Sequence, residues 1–173
     1  MLLALPLFVF PAAMVYAAYT DFTSYEIPTW LSALLVVAFL AAAVGSGFET
    51  TAILWSLSTG VALFAVGAVL FYLGVFGGGD VKLLAASAVW VGWWGLPTYL
   101  VLVALFGGVL ALLLLVLRRL NLPAAWRNRL WSARLLSPDE GMPYGVAIAL
   151  AGLVVFRELR VVDVAAPQIF GAG

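Results

Sequence analysis

The sequence predicts an all-α polytopic membrane protein with six transmembrane helices and an interfacial helix between the fifth and sixth. Three observations carry this. First, 66% of the 173 residues are hydrophobic and only 9% are charged, against about 45–50% and about 25% in a soluble domain. Second, the apolar residues run continuously instead of alternating, which argues against a β-barrel. A helix also satisfies its own backbone hydrogen bonds in lipid. Third, polar turns divide the chain into runs close to the roughly 20 residues that a span requires. One transmembrane domain is expected over residues 1–173, with residues 118–141 as its cytoplasmic interfacial segment and 157–173 as a short tail.

The elements follow in order. Residues 2–20 form the first span, and without a basic n-region they do not resemble a cleaved signal. Asp21 ends it, and a short polar connection runs to Pro28, which suits the first turn of the next helix. Residues 30–45 are the second span and residues 52–76 the third. Gly60, Gly67 and Gly74 fall on nearly one face of the third span, as close helix packing requires. The triplet Gly77-Gly78-Gly79 then breaks the chain, and Asp80 opens a fourth helix to Trp94. Trp90, Trp93 and Trp94 fit an aromatic belt at the far interface, and Pro97 closes the turn. The fifth span is 98–117. Leu122, Trp126 and Leu130 give the polar segment an apolar face suited to an interfacial helix. Residues 142–156 are a short sixth span.

Composition excludes several functions. The formal net charge is zero and there is no basic tail, so nucleic acid is not an expected partner. Cysteine and histidine are absent, which removes disulfides, thiol and imidazole catalysis, and the usual zinc sites. No metal and no cofactor are expected. Catalysis would rest on carboxylates, hydroxyls, Lys or Arg.

Six spans sort the loops into two sets. One holds Lys82, Arg118, Arg119, Arg127, Arg129 and Arg134; the other holds Arg157 and Arg160. The positive-inside rule makes the first set cytoplasmic. Asp21 and Asp80 then share the cytoplasmic end of their helices, and the protein is placed in the cell (inner) membrane as a multi-pass protein. A charge at membrane depth costs about 2.5–3.5 kcal/mol even on lenient scales, so Asp80 needs a reason to be there. Two carboxylates that touch can share one proton. The ionised one can then take a proton from water while the neutral one polarises a carbonyl, which is peptide hydrolysis by acid–base catalysis. The dipole of the fourth helix and Lys82 favour charge on Asp80, while the end of the first helix disfavours it on Asp21. Asp80 is also a good helix cap, Lys82 is suited to snorkelling, and Asp139 and Glu140 suit a solvated turn.

The stretch Gly77-Gly78-Gly79-Asp80-Val81-Lys82 resembles the GxGD signature of the prepilin peptidases, which are intramembrane aspartic proteases. Asp21 ahead of Ile27-Pro28, the order of the two aspartates, and Pro143-Tyr144-Gly145-Val146 in the last span are similar to that family as well. The chain resembles the small tight-adherence and archaeal preflagellin-peptidase branch of that family. The resemblance implies an aspartic endopeptidase with Asp21 and Asp80 catalytic, and with Gly77, Gly79, Lys82, Pro143, Tyr144 and Gly145 supporting or binding substrate. Its substrates would be prepilin-like precursors, cut at the cytoplasmic face to release a short basic leader, as in type IV pilus assembly. The cysteine-rich domain of the larger bifunctional relatives is missing, so no methyltransferase activity is implied. Relatives carry a basic loop ending Ile-Pro-Asn, whereas Thr29 stands here in place of the Asn. Three rivals stay open: a presenilin- or signal-peptide-peptidase-like protease of other membrane stubs, a small transporter or proton pathway, and a scaffold subunit without catalysis. The bilayer is an expected partner, and a homo-oligomer is compatible with the sequence.

Overall fold

The computed structural model describes residues 4–120, 141–159, 161, 162 and 164. The expected interfacial helix, with Asp139 and Glu140, falls almost wholly outside the described residues, as does most of the tail. Among those described, all regular structure is helical: α1 (Ala4–Ser24), α2 (Thr29–Gly45), α3 (Thr50–Tyr72), α4 (Gly78–Arg119) and α5 (Tyr144–Val155), followed by a 3-10 turn at Phe156–Glu158. Two of these, α3 and α4, are long and apolar enough to cross a membrane.

The helix α4 is two rods joined at Gly92, which takes φ 66° and ψ 174°. Only glycine visits that region readily. The chain therefore turns three residues before Gly95, and Pro97 lies inside the second rod instead of closing the turn. The two rods fold back on each other. Ser87 Oγ on the first meets Tyr99 Oη on the second at 2.6 Å, and Tyr99 reaches the Ile148 carbonyl of α5 at 3.4 Å.

The first rod is the axis of the bundle. From Asp80 to Trp90 every residue except Lys82 is buried, as expected of a helix that is apolar almost all round. It runs parallel to α2 and antiparallel to α1. Lys82 Nζ donates to Thr29 Oγ1 at 3.0 Å at one end of α2, and Trp90 Nε1 donates to the Leu35 carbonyl at 2.9 Å further along. Trp90 is thus a core residue, packed on Phe10 and Phe39, and not part of an interfacial belt. Trp93 and Trp94 do remain exposed.

The helix α3 covers one side of this axis. The glycine spacing is used for contact: a Cβ on Gly60 would run into Val89 and come within 2.9 Å of the Ala85 carbonyl, and one on Gly67 would lie 2.7 Å from Val81 Cγ1. Gly74 lies beyond that contact and closes α3, where Val75 N donates to Leu70 O and Gly74 N to Phe71 O, both at 2.9 Å. This double bond is the usual way to satisfy the last carbonyls of a helix. Gly60→Ala is therefore expected to destabilise by about 1–3 kcal/mol, read as an earlier unfolding midpoint in a detergent titration; an unchanged midpoint would contradict the packing. The outer faces of α3 and the second rod expose Val61, Phe64, Val69, Leu105 and Leu112, an apolar surface too broad for a water-facing monomer.

Candidate active site

Three helix ends meet at one pole of the bundle. Asp21 lies in the last turn of α1, Asp80 in the first turn of α4, and Gly145 in the first turn of α5. Asp21 is 4% exposed and Asp80 9%. Both border one cavity of about 470 Å³, lined otherwise by the α1–α2 connection from Tyr25 to Thr29 and by Gly77–Gly79.

Each carboxylate is held by backbone amides. The cap position of α5 is Pro143, which has no capping side chain to offer. Asp21 fills that role from another helix, accepting the Val146 N–H on Oδ2 at 3.2 Å. An aspartate that caps an amide in the third helical position is the standard N-cap geometry, supplied here across 125 residues of chain. The consequence is electrostatic. Asp21 sits at the negative end of α1 and also at the positive end of α5, so the disadvantage expected from α1 alone is offset.

Asp80 folds back over its own helix start. A Cβ on Gly77 would lie 2.8 Å from Asp80 Oδ2, and the Gly77 amide faces the carboxylate. The Gly145 amide faces both Asp80 and Asp21, which interact electrostatically with each other. Asp80 Oδ1 is buried and has no hydrogen-bond partner among the described residues. A buried oxygen of that kind calls for an explanation, and it belongs to the cavity that both carboxylates share.

The glycines have a common use, namely clearance. A Cβ on Gly145 would come within 2.5 Å of Ile27 Cδ1 and 2.8 Å of Asp21 Oδ2, and one on Gly79 would approach Ile27 Cβ to 3.1 Å. Ile27 is therefore the apolar wedge between α4 and α5, a role its position ahead of Pro28 does not reveal. Pro143 is fully buried, and the Tyr144 ring packs on Phe76 with centroids 5.0 Å apart. Tyr25, on the cavity wall, takes φ 59°, a left-handed conformation uncommon outside glycine. That cost is concentrated where α1 hands over to α2.

Lys82 does not join the carboxylates. It is exposed and bonded to Thr29. Residues two apart on a helix face nearly opposite directions, so Asp80 and Lys82 point to different sides of α4. Lys82→Met is expected to change the rate of any reaction at the carboxylates less than about threefold, since a single exposed charge contributes little. A loss of a hundredfold in the same assay would show that the ammonium acts on the pair.

An apolar helical bundle that buries two carboxylates at one pole, around a polar cavity, is a membrane-embedded protein with a built site. Residues 8–112 match the type IV leader peptidase family, and the chain belongs to that family. No curated protein and no solved structure matches it significantly. The matched segment contains Asp21 and the Gly77–Asp80 turn but stops before α5, so the amides of Gly145 and Val146 enter the site from beyond it. Among the described residues, no cluster of His, Cys, Asp and Glu is suited to a metal ion.

Proposed function

We propose that the protein is an intramembrane aspartic endopeptidase that removes the short basic leader of prepilin-like precursors at the cytoplasmic face of the cell membrane. The observation that carries this reading is the shared cavity, in which two buried aspartates flank one backbone amide and Asp80 Oδ1 has no partner among the described residues. Membership of the leader peptidase family supplies the substrate class.

In the proposed reaction the pair holds one proton. The ionised carboxylate, at Asp80 Oδ1, takes a proton from water as the oxygen attacks the scissile carbonyl carbon. The protonated partner, Asp21, hydrogen-bonds the carbonyl oxygen and passes it the proton, giving a neutral gem-diol. Collapse breaks the C–N bond; the proton gained by Asp80 goes to the leaving amine, and a hydroxyl proton returns to Asp21. No covalent intermediate forms. The Gly145 amide is positioned to steady the shared negative charge, in the manner of other preorganised donors.

Six spans and a cytoplasmic site are part of this reading. The six rods are α1, α2, α3, the two rods of α4, and α5. Lys82 and the Arg118–Arg119 end of α4 lie at the carboxylate pole, with Arg118 Nη2 donating to the Gly141 carbonyl at 3.3 Å. Arg157 follows α5 at the other pole. That asymmetry is the positive-inside pattern. Methyltransferase activity is not part of the proposal.

Purified protein in detergent, incubated with a prepilin, is expected to release the leader as a free peptide detected by mass spectrometry; an intact precursor under conditions where the protein stays folded would refute the reading. The pH profile of kcat/KM should be bell-shaped. Activity falls at low pH, where both carboxyls are protonated and no base remains. It falls at high pH, where both are ionised and no acid remains. The two limbs belong to the pair and not to either residue.

A further inference from the structure

A second cavity, of about 510 Å³ and almost entirely apolar, lies between α3 and the second rod of α4. Leu63 and Leu70 of α3 form one wall, Ala104, Gly108 and Ala111 the other, and Val81 of the first rod lies on the floor. It does not stand apart from the carboxylates. The turn at residues 76–81 borders both cavities: Gly77 to Asp80 face the polar one, while Phe76 and Val81 face the apolar one. The Phe76–Tyr144 ring pair closes the groove at that end, directly ahead of Gly77 on one strand of chain and Gly145 on the other.

The two cavities differ in chemistry as well as position. Among the described residues, the polar one is lined by Asp21, Asp80 and Glu26 and by no Lys or Arg. The apolar one is lined by no charged residue among those described. Together they match a chain that is basic on one side of a peptide bond and apolar on the other, with the bond itself over the carboxylates. The groove runs along residues 100–111 of α4, roughly three turns at about 1.5 Å per residue, enough to hold a helix by its side. Small residues on that wall allow close backbone approach.

Resting on the peptidase reading, we infer that the apolar groove between α3 and the second rod of α4 receives the apolar helix that follows the scissile bond of the precursor. The basic leader then lies in the acidic cavity, and the substrate crosses the Phe76–Asp80 turn from one to the other.

Gly108 offers a clean test, because a Cβ there meets nothing within 4 Å. Gly108→Leu puts an isobutyl side chain into the groove from a position whose Cβ has free space. It is expected to lower kcat/KM for a full-length precursor by about tenfold or more, the scale of a misfitted apolar pocket. Ala33→Leu, exposed on α2 away from the groove, should leave the rate unchanged. Wild-type cleavage with an unslowed Gly108→Leu variant would overturn the groove while leaving the peptidase reading intact. A wild type that does not cut would overturn both. A second measurement stands if Gly108→Leu is poorly folded. The chain has no cysteine, so Ala111→Cys in an Asp80→Asn background gives a single thiol. It should form a disulfide with a cysteine placed in the precursor's apolar helix, whereas Ala33→Cys should not. Equal or absent linkage at both positions, as expected if only lipid fills the groove, overturns the inference. So does linkage of two copies through Ala111→Cys, which would make a second copy the occupant.

Discussion

Asp21→Asn and Asp80→Asn are each expected to abolish leader release while leaving the bundle folded. General acid–base catalysis contributes about 10²–10⁴-fold, and each substitution removes one half of a coupled pair, so the loss should reach at least that range in a discontinuous cleavage assay. The folded state should survive for reasons visible in the site. Asparagine caps helices about as well as aspartate, so Asn at position 21 can still accept the Val146 N–H. At position 80 the uncharged side chain removes one of two facing carboxylates, which relieves repulsion. Asp21→Ala is different, since it also deletes the cap of α5 and should cost about 0.5–2 kcal/mol of stability. Unfolding midpoints of the three variants separate the chemical loss from the structural one. Wild-type rates in either asparagine variant would remove that residue from catalysis.

Gly145→Val carries the second large effect. Even the first added carbon would sit 2.5 Å from Ile27 Cδ1 and 2.8 Å from Asp21 Oδ2. Neither neighbour can retreat cheaply: Ile27 is wedged between Gly79 and Gly145, and Asp21 is tied to the Val146 amide. Overpacking of this kind costs about 1–3 kcal/mol. The larger consequence is positional, because α5 must move away from α1 and take the shared Gly145 amide with it. A displacement near 1 Å can cost about a hundredfold in rate. The expected result is a folded variant of lower stability whose cleavage rate falls by about two orders of magnitude or more. A Gly145→Val variant that cuts at the wild-type rate would show that α5 has no part in placing the carboxylates.

Much of this was legible in the residues themselves. Asp21 and Asp80 stand out because each is an isolated carboxylate in an apolar chain, where charge is expensive. The glycine triplet announced a break, and the spacing of Gly60 and Gly67 announced a contact face, which the packing against Val81 and Val89 realises. The turn between the rods of α4 is hard to place from sequence because Gly92, Gly95 and Pro97 all break helices. Local sequence does not say which one will carry the positive φ. Trp90 looks interfacial from its neighbours in sequence, because its partners, Phe10, Phe39 and the Leu35 carbonyl, are 50 or more residues distant in sequence. Nearness along the chain leaves Lys82 equally suited to tuning Asp80 or to snorkelling, and the helical period, which turns it away from Asp80 toward Thr29, favours the second. Least legible was the cap of α5 by Asp21. Nothing near Pro143 names the donor of that side chain, and only the tertiary fold brings Asp21 to it.

The central claim is that Asp21 and Asp80 act as one unit. It is tested most directly by comparing single-turnover leader release for wild type, Asp21→Asn, Asp80→Asn and the double variant in one detergent preparation. Groups that work together are strongly non-additive. The account predicts that each single substitution costs as much as both together. A double variant slower than the singles by the product of their separate effects would contradict it, as independent groups would behave that way.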